Sequence, residues 1–144
     1  MLPNLFITTS PEDLSDLPSK PFHFQPIAEK DDPEILNLLC NPVRWFLQCQ
    51  YGGCNCDFRH LAEGNDMEFA PPADWCPEDP EAIEATKAVY DILSEMLAKG
   101  YKVDVVDLWV NNSLESIVEI DVSLSKVNRD SFRFFENRKY NLSI

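Results

Sequence analysis

At 144 residues, with 44% hydrophobic and 11% aromatic side chains, the chain has the length of one domain and enough apolar material for a core, which excludes wholesale disorder. Twelve Lys and Arg against 25 Asp and Glu leave a formal net charge of -13 at pH 7, the wrong sign for gripping a phosphate backbone or an anionic membrane surface. The same charge keeps a protein in solution and would draw a basic protein partner toward it.

Residues 1–35 carry Pro3, Pro11, Pro18, Pro21, Pro26 and Pro33, a density that reads as a Pro-rich N-terminal arm lying over the domain. Met1 to Phe6 offers neither a basic stretch nor a long apolar run, so no signal peptide or membrane span is expected and a cytoplasmic location follows. Within the arm, Ser10 as cap, Pro11 in the first turn and the acids Glu12 and Asp13 suit a short helix over 11–17. A second short helix fits 33–39. His23, between Phe22 and Phe24, reads as a packed or rim residue.

Trp45 to Tyr51, then Gly52-Gly53, then Cys54 to His60 has the form of a hairpin whose two-residue turn needs positive φ. Counting back from the turn pairs Tyr51 with Cys54, Cys49 with Cys56, Leu47 with Phe58 and Trp45 with His60 on one largely apolar face. Gln48, Gln50, Asn55, Asp57 and Arg59 point the other way.

Five cysteines, an odd number without an export signal, argue against a disulfide framework. In one reading Cys49, Cys54 and Cys56 are core thiols, since free cysteine behaves as a small apolar residue. The other is a zinc site in which Cys76 returns as fourth ligand, because His60 lies about 13 Å along the strand from Cys56. The spacing C-x4-C-x-C-x19-C lacks the paired C-x2-C knuckles of zinc fingers. Cys76 as a reactive thiol is disfavoured, because the neighbouring acids would raise its pKa.

Between Arg59 and Lys87 there is no Lys or Arg, while Glu63, Asp66, Glu68, Asp74, Glu78, Asp79, Glu81 and Glu84 all fall there. Asp66, Glu68, Phe69, Asp74 and Trp75 are the candidate partner-binding residues, combining charge with aromatic anchors. Equally, Phe69 and Trp75 could tuck inward to hold a long connection in place. No D-x-D-x-D-G spacing supports calcium.

A helix is expected over 80–99, with Asp79 as N-cap, Pro80 at the first position and Gly100 ending it. Ile83, Thr86, Val89, Tyr90, Leu93, Met96 and Leu97 form its apolar stripe. Lys102–Val110 and Glu115–Leu124, joined by Asn111-Asn112-Ser113, read as a second antiparallel hairpin, with Glu119, Asp121 and Ser123 on a solvated face. Phe132–Phe135 and Lys139–Ile144 would form a third.

No P-loop, G-x-S-x-G, H-E-x-x-H or dinucleotide fingerprint occurs, so neither catalysis nor a cofactor is expected. The run Gly53-Cys54-Asn55-Cys56-Asp57-Phe58-Arg59, with the long helix and the closing Phe-Arg-Phe-Phe-Glu-Asn, resembles small uncharacterised bacterial proteins carrying a Gly-Cys-x-Cys-x-Phe loop. That resemblance implies a bacterial, cytoplasmic, single-domain protein and no particular activity. The expected fold is a single α+β domain over 1–144, an antiparallel sheet of five or six strands packed on one long helix plus short helices, with a ferredoxin-like arrangement as a special case. The expected role is a non-enzymatic interaction protein that binds a basic protein, in the manner of an inhibitor or immunity protein. A zinc-stabilised module built on Cys49, Cys54, Cys56 and Cys76 is the alternative.

Overall fold

A computed structural model describes residues 3–8, 22–26, 44–49, 60–61, 69, 80–109, 117–135 and 138–144. Its one helix among these, α1 (Pro80–Ala98), begins at the proline, whose missing N–H is no loss in the first turn. Its end follows from Gly100, which adopts φ 87°. The Gly100 N–H donates to the Leu97 carbonyl at 3.0 Å and the Tyr101 N–H to the Met96 carbonyl at 3.2 Å, the paired bonds of a Schellman motif. The buried face is Ala82, Ala85, Thr86, Val89, Leu93 and Met96. It is rotated from the expected stripe toward two alanines, while Ile83 is only half-buried. The buried Thr86 hydroxyl donates to the Ala82 carbonyl at 2.8 Å, so it is not stranded in the core.

Eight strands accompany the helix: β1 (Pro3–Thr8), β2 (Phe22–Pro26), β3 (Arg44–Cys49), β4 (His60–Leu61), β5 (Asp104–Trp109), β6 (Val118–Ser123), β7 (Phe134–Phe135) and β8 (Arg138–Ser143). The main sheet runs β2-β3-β1-β5-β8-β6, and β4 pairs with β7 in a separate two-stranded ladder. The Pro-rich segment thus contributes two strands, with Pro3 opening β1 and Pro26 closing β2 at the sheet edge, positions where a lost N–H is tolerated. The short helices expected over 11–17 and 33–39 lie outside the described residues.

The expected antiparallel, ferredoxin-like sheet is overturned. The sheet is mixed, because β6 runs parallel to β8 with Glu119 opposite Lys139 and Asp121 opposite Asn141, and β4 runs parallel to β7. Among the described side chains, the strand residues that pack beneath α1 come from β5, β8 and β6, with those of β7. Neither the second nor the third expected hairpin forms, and the turn and return strand of the first lie in residues 50–59, outside the described residues. A strand has two edges, and in both cases they are taken by other strands: β5 lies between β1 and β8, and β8 between β5 and β6. β3 lies between β2 and β1, and Cys49 faces Phe22 of β2 across the ladder. The entropic advantage of a short loop is small, about 0.6 kcal/mol per doubling of loop length, so burial of apolar faces outweighs nearness in sequence. The parallel β6–β8 pair needs a crossover, and residues 124–137 supply one of the required length.

That crossover also builds the core. Phe132, Phe134 and Phe135 are buried with Tyr140 and Leu142 of β8, Val105 of β5, Val122 of β6 and the inner face of α1. Phe132 sits at the centre, edge-on to Phe134 at 5.4 Å and to Tyr90 at 5.6 Å, and stacked on Phe69 at 5.8 Å. The buried Tyr140 hydroxyl accepts from the Phe135 N–H at 2.7 Å and donates to the Arg133 carbonyl at 3.2 Å, satisfying backbone that leaves the ladder there. Tyr90 reaches from α1 with its hydroxyl 2.7 Å from the Leu124 carbonyl and 2.8 Å from that of Val127. On the outer side, Asp91 receives two 2.8 Å bonds from Arg129, tying helix to crossover a second time.

Candidate functional site

Period-2 alternation divides β8 between two environments. Tyr140 and Leu142 enter the core below α1, and Lys139 and Asn141 project from the opposite face. Register brings Asp104 of β5 and Glu119 and Asp121 of β6 onto that same opposite face. Lys139 Nζ lies 3.8 Å from Asp104 Oδ2 and 3.5 Å from Glu119 Oε1. The Asn141 amide donates to Glu119 Oε1 at 2.8 Å and to Asp121 Oδ1 at 3.2 Å.

The row changes character from centre to edge. Asp104 is buried and Lys139 nearly so, whereas the Glu119 and Asp121 side chains are exposed. The hydrogen bond from Asn141, and then the positive charge of Lys139, hold the Glu119 carboxyl below its ordinary pKa. Among the described residues the ammonium beside Glu119 is that of Lys139, which is shared with Asp104. Such a row can accept hydrogen bonds from ammonium or guanidinium groups. Among the described residues no group of His, Cys, Asp and Glu is arranged to hold a metal ion.

Among the described residues β6 is also the last strand of the sheet. The Leu124 N–H donates to the Ser143 carbonyl at 2.8 Å, so backbone groups at even positions of β6 face β8 and those of Glu119, Asp121 and Ser123 face outward. The Ser123 carbonyl accepts from the Lys126 N–H at 3.0 Å. At this end of the strand Phe69, Val122 and Val127, with Asp121, Ser123 and Lys126, line an open depression of about 410 Å³.

Of the residues expected to bind a partner, Phe69 is described. It is half-buried against Phe132, Phe135 and Tyr140, with ring centroids 5.8, 5.3 and 6.3 Å away, and it contributes one wall of the depression. Asp66, Glu68, Asp74 and Trp75 lie outside the described residues. So do Cys54, Cys56 and Cys76; Cys49 closes β3 opposite Phe22 of β2. Glu119 and Asp121 were legible in the sequence as a solvated face, but nothing local marks their strand as the edge. Among the described residues no helix is long and apolar enough to cross a membrane. In comparisons with known proteins, no family model, curated protein or solved structure matches the chain.

Proposed function

We propose that this is a non-enzymatic, cytoplasmic interaction protein whose acidic surface binds a basic protein partner, in the manner of an inhibitor or immunity protein. The observation that carries the reading is the net charge of -13, with the carboxyl groups of Glu119 and Asp121 exposed on one face of the same strand. An acidic surface of this kind accelerates encounter with a basic one and disfavours acidic competitors. No observation favours the zinc alternative.

Affinity capture from a lysate of the native host at low and at about 0.5 M salt tests the reading, since exposed charge pairs are screened at high ionic strength. The expected result is a basic protein retained at low salt and released at high salt, which then binds the purified chain as a defined complex. Absence of any salt-sensitive basic partner would reduce the charge to a solubility device.

A further inference from the structure

The outer edge of β6 presents three independent features in register. First, the outward backbone groups of Glu119 and Asp121 have no partner strand among the described residues, and such a row of N–H and C=O groups is a template for an added strand. Second, those two residues are the ones whose side chains carry negative charge on the face opposite α1. A strand paired antiparallel with β6 would place its own inward-facing residues directly across from them, where opposite charges attract and like charges repel. Third, the helix-side face of the same edge is apolar and unfinished. Val118, at the start of the strand, is 46% exposed and Ile120 half-buried, and at the Ser123 end opens the depression walled by Phe69, Val122 and Val127.

We infer that the β6 edge accepts an extended segment of a basic partner as an added antiparallel strand, with Lys or Arg alternating with apolar residues. The basic side chains pair with Glu119 and Asp121, and the apolar ones extend the core face toward Phe69 and Val127. This rests on the reading of the chain as a binder of basic proteins and specifies how the partner is held. A second copy of the chain is the wrong occupant. In the well-overlapped registers a β6–β6 pair sets carboxylate against carboxylate, between molecules that each carry -13. Lys126, also at the depression, further favours an apolar over a basic residue at that point.

The test uses the full chain and a blocked nine-residue peptide of alternating Lys and Val. Three companions are compared with it: the same composition in two blocks, the alternating peptide N-methylated on its lysines, and one N-methylated on its valines. Since the lysines would offer their N–H groups to β6, their methylation should weaken binding at least about tenfold, while methylated valines stay within about threefold. The block peptide should also bind at least about tenfold more weakly, and the amide protons of Glu119 and Asp121 should gain exchange protection on binding the alternating peptide. The double variant E119Q/D121N should lose several-fold in affinity at low salt, with a cooperative unfolding transition, only slightly lowered in midpoint, showing that it remains folded. Equal affinity for all four peptides would overturn strand addition while leaving a charge-driven partner in place. No binding of the alternating peptide would also overturn it and make the acidic pair a guard against edge pairing. Salt-sensitive capture of a basic protein, measured separately, decides the broader reading.

Discussion

The two faces of β5-β8-β6 are built from alternating residues of the same strands, yet they are held by different physics. On the α1 side, Val105, Tyr140, Leu142 and Val122 are closed over by the helix and the phenylalanines of the crossover. On the other, Asp104, Lys139, Asn141, Glu119 and Asp121 form a polar row that grows more exposed toward the edge. The first face stabilises by removing apolar area from water, worth about 1.5–3 kcal/mol for each large side chain. The second runs from the buried Asp104–Lys139 pair to the exposed Glu119 and Asp121, where water screens the charges and leaves little net stabilisation. Stability should therefore reside on one face and recognition on the other.

Substitution at the centre of the core would break this comparison most severely. Phe132→Ala removes a ring that contacts Phe69, Tyr90, Phe134 and Tyr140, and should cost about 3–5 kcal/mol in urea unfolding. Tyr140→Phe keeps the packing but strands the Phe135 N–H, for an expected loss of about 1–3 kcal/mol. Tyr90→Phe, whose acceptors are only part-buried, should cost about 0.5–1.5 kcal/mol in the same assay.

Gly100→Ala isolates a backbone term. A Cβ there meets nothing within 4 Å, so the expected loss of about 1 kcal/mol would come from φ 87° alone. The smallest effect belongs to the polar face and is sharpened by pH. Glu119 has a lowered pKa in the folded state, so its contribution is present above the unfolded carboxylate pKa and lost as pH falls through the folded value. The stability difference between the native chain and Glu119→Gln should be small at neutral pH and vanish on acidification below the ordinary carboxylate range. A difference that persisted there would mean that Glu119 acts through packing instead.

α1 is the element most legible in the sequence. Pro80 and Gly100 mark its ends, and the three- and four-residue spacing from Thr86 to Met96 marks its inner face, because helix signals are local. The alternation in β6 likewise showed which residues face water. The hairpins were not legible in the same way. Asn111-Asn112-Ser113 carries turn chemistry, but turn chemistry only permits a local pairing, and β5 pairs with β1 and β8 instead of β6. At the candidate site, Glu119 and Asp121 could be read as exposed, whereas Lys139 and Asn141 beside them could not, since a parallel neighbour twenty residues on leaves no local signal.

By itself the sequence determined the charge, the helix with its proline start and glycine stop, and the exposure of Glu119 and Asp121 on β6, all set by composition or by residues within a turn or two of one another. Tertiary structure alone decided the order of the strands, the parallel run of β6 beside β8, and hence that an acidic strand ends the sheet. Each strand has two edges and many suitors, and the choice went to the arrangement that buried Phe132, Phe134, Phe135 and Tyr140 together beneath α1.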